Sequence, residues 1–406
     1  MKSVACLVSA MGQRYPSWTV PKPRDKRKAD RPAGIREMAE TLGVSIGTVD
    51  RALHDRPGIS PATRRMVLGL AEKLGYRPNL AARLLSSRKQ HRIAVLFPSE
   101  IAAFWDLVRD GVLDFAGTLR QAGVEAVYRP HGGLHEGDAD VAQALKEDFQ
   151  GLVLAPGRPE VAARLIAQAA RRGLPVVCVN TDAPGSERLC TVSVDSLASG
   201  GLAAELMGRF LGGRGTVVVV TGFESTIDHA EKVEGFQRML FETAPGIEIA
   251  AVVEGHDVED EAYQKCMDTF ADTPDLSGVY VTTANAPPVL RALQDRGLAR
   301  VTVITTDLFA ELVPHIQAGR IAATIDQRPW IQGQIAFRTM YRYLIEGIRP
   351  ASFVRLAPHV VMRSNLSLSL ARMAAESAAH GDSAGTPDPP AATEEVTAAA
   401  APDARP

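Results

Sequence analysis

The stretch IREMAETLGVSIGTVDRALHDRPGISPATRRMVLGLAEKLGYRPNLAARLLSS, Ile35–Ser87, carries three short helical faces in succession. Ile35, Met38, Ala39 and Leu42 recur at the spacing of one buried helix face. Val49, Ala52 and Leu53 make a second face, and Val67, Leu70, Ala71 and Leu74 a third. Gly43 breaks the first helix and Ser45 is placed to cap the second. Ser60–Pro61 supplies an N-cap followed by a first-turn proline for the third helix, which Gly75 ends. Three helices in so few residues predict a compact bundle. The tight turn before the second predicts helix-turn-helix geometry, in which the start of that helix, Ser45, Ile46, Gly47 and Thr48, faces base edges in a major groove. Gly43–Gly47 also fits the G-x-S-x-G pattern of a hydrolase nucleophile elbow, but that turn needs a preceding strand and here a helix precedes it.

Working outward, the charge is uneven. Net charge over the 406 residues is only -2, yet Ile35–Arg92 holds eleven Lys and Arg against five Asp and Glu. A local excess of cations in a small domain suits a phosphate backbone. Residues 1–33, containing KPRDKRKADRP, are too polar to bury a core and are expected to form a disordered basic arm, either a DNA-contacting extension or a stretch upstream of the true start. Met1–Asp30 lacks the apolar run and cleavage site of a secretory signal, and no run of about eighteen apolar residues occurs, so a cytoplasmic location and no membrane partner are expected. Residues 368–406, rich in Ala, Pro, Ser and acid, read as a disordered tail.

Between these ends the pattern changes. IAVLFP, VEAVYRP, GLVLAP and VVCVNT alternate with amphipathic helical stretches, and GTVVVVTG, IEIAAVVEG, GVYVTT, VTVITTD and IAATIDQ resume the alternation. Near-continuous Val and Ile runs separated by helices predict parallel sheets covered on both faces, and so many strands suit two sheets. The expected class is α/β: an all-α helix-turn-helix head at 34–78, a hinge helix and linker at 79–91, and a two-lobed body of doubly wound sheets at 92–367. One lobe is expected to take residues 92–196 and 308–328, the other 197–307 and 329–367.

Ile35–Ser87 resembles the DNA-binding head and hinge of the LacI/GalR repressor family, and Arg92 to about Asn365 resembles that family's effector domain, which shares its fold with periplasmic sugar-binding proteins, the ribose-type binders above all. The resemblance implies a recognition helix read through Ile46 and Gly47, with Arg51 one turn on, able to bond a guanine edge bidentately. Gly47 has no side chain, and Asp50 stands where the family has serine; a sideways Asp50 would orient Arg51. It implies a hinge helix capped by Asn79, carrying Arg83, with Leu85 as the apolar wedge that unstacks a base step.

For the body, the resemblance implies that Phe104 and Trp105 stack on a sugar and that Lys232 takes the place of a hydroxyl-gripping arginine. Asn180, Asp182, Thr283, Asn285, Asp307 and Gln327 all fall at carboxyl ends of predicted strands, where open α/β sheets bind ligands. The partners so implied are double-stranded DNA with a palindromic operator, a sugar or polyol effector, and a second copy of the chain, with Trp105–Leu119 as a candidate part of the dimer face. No C-terminal leucine heptad argues for a coiled-coil tetramer.

Other motifs carry less. Leu211–Gly215, LGGRG, leads into a strand and lacks the helix start that a phosphate cradle uses. His131, His135 and Asp138 lack metal-ligand spacing, and Cys6, Cys178, Cys190 and Cys266 are too scattered for a zinc or redox pair. Neither a metal nor a cofactor is expected, and no nucleophile–base pair suggests an enzyme. A sugar-binding protein of a transport system would suit the body alone, but not the attached head.

Overall fold

The computed structural model describes residues 35–53, 57–74, 90–120 and 123–378. The expected arm, the hinge with Asn79, Arg83 and Leu85, and most of the expected tail lie outside the described residues. The chain divides into two compact units, Met1–Asn79 and Leu80–Pro406.

In the first unit, α1 (Ile35–Leu42), α2 (Ile46–Leu53) and α3 (Pro61–Lys73) close around Met38, Ala39, Val49, Ala52, Val67 and Ala71. These belong to the three faces read from the sequence. Leu74 departs from its face and is exposed. The turn works as its residues dictate. Gly43 takes a left-handed φ of 63°, and the Ser45 hydroxyl accepts the Thr48 amide N–H at 3.1 Å, satisfying one of the orphan donors at the start of α2. Ser60 does the same for Thr63 at 3.0 Å, ahead of Pro61.

The second unit contains two six-stranded sheets. In chain order its strands are β1 (His91–Pro98), β2 (Val124–His131), β3 (Gly151–Leu154), β4 (Val176–Val179), β5 (Cys190–Val194), β6 (Arg214–Thr221), β7 (Gly246–Glu254), β8 (Leu276–Val281), β9 (Thr302–Thr306), β10 (Ala323–Asp326), β11 (Phe353–Leu356) and β12 (His359–Val361). The first sheet runs β11-β5-β4-β3-β1-β2 and the second β12-β10-β9-β8-β6-β7. All pairings are parallel except β10 with β12. The two sheets therefore repeat one doubly wound order, with the chain returning once to the edge of each. Cys178, Cys190 and Cys266 are free and buried, as core filler.

Three details differ from the sequence reading. β10 pairs with β9 in the second sheet, so residues 308–326 belong to the second lobe rather than the first. The helix Pro329–Tyr341 packs on the helix Ala102–Thr118 and on β3, β4 and β5, and β11 pairs with β5, so residues 329–341 and 353–356 belong to the first lobe rather than the second. One crossover falls at Gln327–Arg328, after β10, and the chain crosses again between β11 and β12. The third difference is at the C-terminal end, where Leu366–Ala378 is a helix and not the start of a flexible tail. Leu366 is buried, Leu370 and Met373 pack against the main core, and Arg372 bonds Asp326 as well as His359 Nδ1, the latter at 2.9 Å. That helix is fastened where the chain passes between lobes.

Helices Ala102–Thr118 and Pro329–Tyr341 cross at backbone contact. A Cβ at Gly111 would overlap the Trp330 carbonyl oxygen, and one at Gly333 would overlap the Val108 carbonyl oxygen. Neither neighbour is a flexible side-chain end, so Gly333→Ala must push the helices apart. We expect it to cost about 1–3 kcal/mol in chemical unfolding, and a loss below ~0.5 kcal/mol would show that the crossing gives way freely. Most of this face of Ala102–Thr118 is thus already occupied within the chain, leaving less of it for the dimer contact expected there.

Candidate ligand cleft and reading head

Strand ends build the body's site. β1 delivers Pro98, Glu100, Ile101, Phe104 and Trp105; β4 delivers Asn180; β8 delivers Thr283 and Ala284; β9 delivers Asp307; and β10 delivers Gln327. Asp228, His229 and Lys232 enter from the first turns of the helix Ile227–Thr243 that follows β6, Asp257 follows β7, and Leu134 comes from the loop after β2. Together they line a concave site of about 460 Å³, the solvent-open space at its mouth included.

Backbone strain marks the same place. Six described non-glycine residues have left-handed φ: Ile101, Asn180, His256, Asp257, Asp307 and Arg328. Four of them line this cavity. Such conformations are costly for residues with a Cβ and persist where the surroundings hold them, which is why they gather at binding sites.

Phe104 and Trp105 form an edge-on pair with ring centroids 4.9 Å apart, and Trp105 also stacks on Phe97 at 5.6 Å. Lys232 Nζ donates to Asp228 Oδ2 at 2.9 Å, with the two side chains 1% and 3% exposed. Burial is the largest influence and works against the Asp228 carboxylate, but Lys232, by its charge and its hydrogen bond, together with His229 and Thr181, outweighs burial and holds the group below the usual range. Asp307 accepts the Gln327 side-chain amide at 2.9 Å and its backbone N–H at 3.2 Å. Here burial wins and pushes the carboxyl up to about 7, against the pull of Lys232. At the rim, His135 Nε2 meets Thr226 Oγ1 at 3.0 Å, and the His135 and Phe223 rings lie 3.9 Å apart. His135 belongs to the first lobe and Phe223 and Thr226 to the second, so this contact ties the lobes across the cleft.

Seven of the nine ligand residues expected from sequence thus come together. Asp182 and Asn285 are not in the lining. Asp182 is held by Arg188 and by the Thr191 hydroxyl, and Asn285 sits at the start of the helix Ala286–Asp295, its N–H donating to Thr283 Oγ1 at 3.3 Å. Sequence reasoning missed Glu100, Asp228, His229 and Asp257. Asp228 was legible as the residue one turn before Lys232, and Asp257 as the end of another strand.

The head presents a complementary picture by itself. Ile46 is 49% exposed, Ser45, Gly47 and Arg51 are exposed, and Thr48 is half-buried. A Cβ at Gly47 would find only the Ser45 hydroxyl, at 3.8 Å, so the free head leaves that position open.

Comparison with known proteins gives the body and the head separately. The model of the periplasmic binding protein domain matches residues 93–347, more than half of the chain, and that of bacterial regulatory proteins of the lacI family matches residues 34–79. The chain belongs to the lacI family of bacterial regulatory proteins. Its likeness to Catabolite control protein A of Priestia megaterium is 24% identity over 340 residues, 82% of this chain and 98% of that protein. A shorter stretch of 67 residues is 40% identical to the HTH-type transcriptional regulator AglR of Rhizobium meliloti, 16% of this chain and 19% of that one.

For the lacI-family body, the fold matches GanP, a glucose-galactose binding protein from Geobacillus stearothermophilus, with TM-score 0.63 and 24% identity over 68% of this chain and 99% of that one. It also matches a solute binding protein of Bacillus halodurans C-125 with bound myo-inositol, TM-score 0.64 and 16% identity over 70% and 98%. This regulator is therefore a DNA-binding helix-turn-helix head joined to a body with the periplasmic-binding-protein fold. Among the described residues no helix is long and apolar enough to cross a membrane.

Proposed function

We propose that the chain acts as a homodimeric cytoplasmic repressor, whose paired heads bind a palindromic operator and whose operator affinity changes when a sugar or polyol closes the cleft. The observation that carries this reading is the cavity itself, where an aromatic pair, buried amides and carboxylates converge from strand ends of both lobes. Aromatic faces suit sugar C–H groups, and buried acceptors suit hydroxyls. Dimerisation supplies the contacts that one small head lacks and matches operator symmetry. Trp105 gives a built-in reporter: a sugar and cyclitol panel followed by intrinsic fluorescence and thermal shift should show a saturable change for the effector, and that compound should alter operator retention in a gel shift. A panel compound that shifts the melting temperature but leaves operator affinity unchanged would break the proposed coupling.

Arg51 is assigned the guanine contact, and Leu85 the wedge at the hinge. Arg51→Ala is expected to cost about 1–3 kcal/mol on the operator and to relax discrimination at one base pair, measured by competition against random DNA. Equal losses on specific and random DNA would make Arg51 a phosphate contact instead.

A further inference from the structure

The cavity's charges do not balance. Lys232, the lysine of the lining, is engaged with Asp228. His229 accepts the Phe223 amide N–H at Nδ1, 2.9 Å away, so its ring proton sits on Nε2 and the imidazole carries no charge in that arrangement. Glu100 and Asp257 remain on the same lining with no lysine or arginine among its residues left to match them. Glu100 comes from the first lobe and Asp257 from the second. Burial, then Glu136 and Asp257, hold the Glu100 carboxyl above its ordinary value. Like charges facing each other from two lobes oppose closure of the cleft.

Acceptors lacking donors point the same way. Asn180 Oδ1 and Gln327 Oε1 have no hydrogen-bond partner, although their residues are only 7% and 3% exposed and both line the cavity. The Gln327 orientation is fixed, because its Nε2 donates to Asp307. Asp257 Oδ1 is likewise buried without a partner, and His256 and Asp257 hold consecutive left-handed φ values of 52° and 58°. Unmade hydrogen bonds to buried acceptors are costly, so what fills this space brings donors.

We infer that the ligand is a polyol or sugar bearing a protonated amine, its ammonium lying on the acidic side of the lining and its hydroxyls serving the buried amide oxygens. This rests on the polyol reading above and narrows it to a cationic member. An ammonium between carboxylates of opposite lobes turns their repulsion into attraction, so its binding favours the closed arrangement. Neutral sugars supply the donors but leave the repulsion in place.

Titration calorimetry on the full chain at pH 7, with matched sets, tests it. The probes are glucose, galactose and mannose, their 2-amino-2-deoxy forms and N-acetylated forms, and myo-inositol with an amino-deoxy-inositol. The expected result is that in at least one set the amine binds about tenfold or more tighter than both its neutral counterparts. In Glu100→Gln and in Glu100→Gln/Asp257→Asn the ratio of amine to parent affinity should fall toward one; Glu100 is at the exposed mouth, so the single variant is expected to fold. If a neutral sugar binds as tightly as its amine, the inference falls while the polyol reading stands. Should no compound of any set bind, the polyol reading falls and takes the inference with it.

Discussion

Replacing Lys232 with methionine is expected to destabilise the body by about 3–5 kcal/mol, because it leaves Asp228 as a buried carboxylate without its cation. Asp228 and Lys232 are 3% and 1% exposed and one helical turn apart, 2.9 Å between Oδ2 and Nζ. His229 approaches the same oxygen only at 3.8 Å and is held by the Phe223 amide, so it is a poor substitute. Without Lys232, burial raises the Asp228 carboxyl above its unfolded value. The folded chain then retains a proton that the unfolded chain releases, and stability falls as pH rises. Urea unfolding should therefore show a larger deficit at pH 8 than at pH 5, and Lys232→Met/Asp228→Asn should recover most of it. A deficit below ~1 kcal/mol at both pH values would mean that water reaches Asp228 and that the pair is not sealed as the geometry indicates.

What the sequence revealed follows from how each element is buried. β1 and β6 are buried along most of their length and carry unbroken apolar runs, IAVLF and VVVV, while β8 and β9, LSGVYV and TVITT, show shorter Val, Ile and Tyr stretches beside buried threonines. The head was equally plain, since its three stripes had caps and a glycine turn to bound them. β11, FVRL, sits at a sheet edge with alternating exposure, and β12 has three residues, so neither offers a run long enough to notice. The assignment of β10 and the helix after it to lobes is a long-range pairing that no local pattern encodes. The final helix was hidden because alanine and serine disguise Leu366, Leu370 and Met373, whose burial depends on the body core they pack against, Met373 beside Asp326–Trp330.

The ligand residues were found where the rule of strand carboxyl ends is geometric, and lost where direction matters. Asp182 follows β4 as Asn180 does, but two residues further on it turns back toward Arg188. A position in sequence does not say which way such a loop points. Left-handed φ at Asn180, Asp257 and Asp307 turns those side chains into the cleft, and only the folded backbone displays it.

The second large effect is expected at Asp307, where stability and binding should move in opposite directions. Its carboxyl is pushed up to about 7, first by burial and then by Asp326, with Lys232 and the Gln327 hydrogen bonds pulling the other way. An unfolded chain releases this proton near pH 3.9. Between pH 4 and 7 the folded chain keeps the proton that the unfolded chain has lost, so this group's contribution to stability declines as pH rises and levels off above 7. The accumulated penalty is roughly 4 kcal/mol at most. Asp307→Asn removes the titration. Gln327 can meet the new amide by turning, since its Oε1 has no partner now. The variant is expected to be more stable than the parent at pH 8, with a smaller gain at pH 5. The same change removes a charged acceptor from the lining, and losing a charge-assisted hydrogen bond costs roughly 1.5–3 kcal/mol, a weakening of effector affinity by about ten- to a hundredfold. Melting temperatures at the two pH values and one titration of the effector give both numbers. A variant that is less stable at pH 8 than at pH 5 relative to the parent would show Asp307 to be ionised and well served in the empty cleft. Unchanged effector affinity would instead remove Asp307 from the ligand's contacts while leaving the reading head untouched.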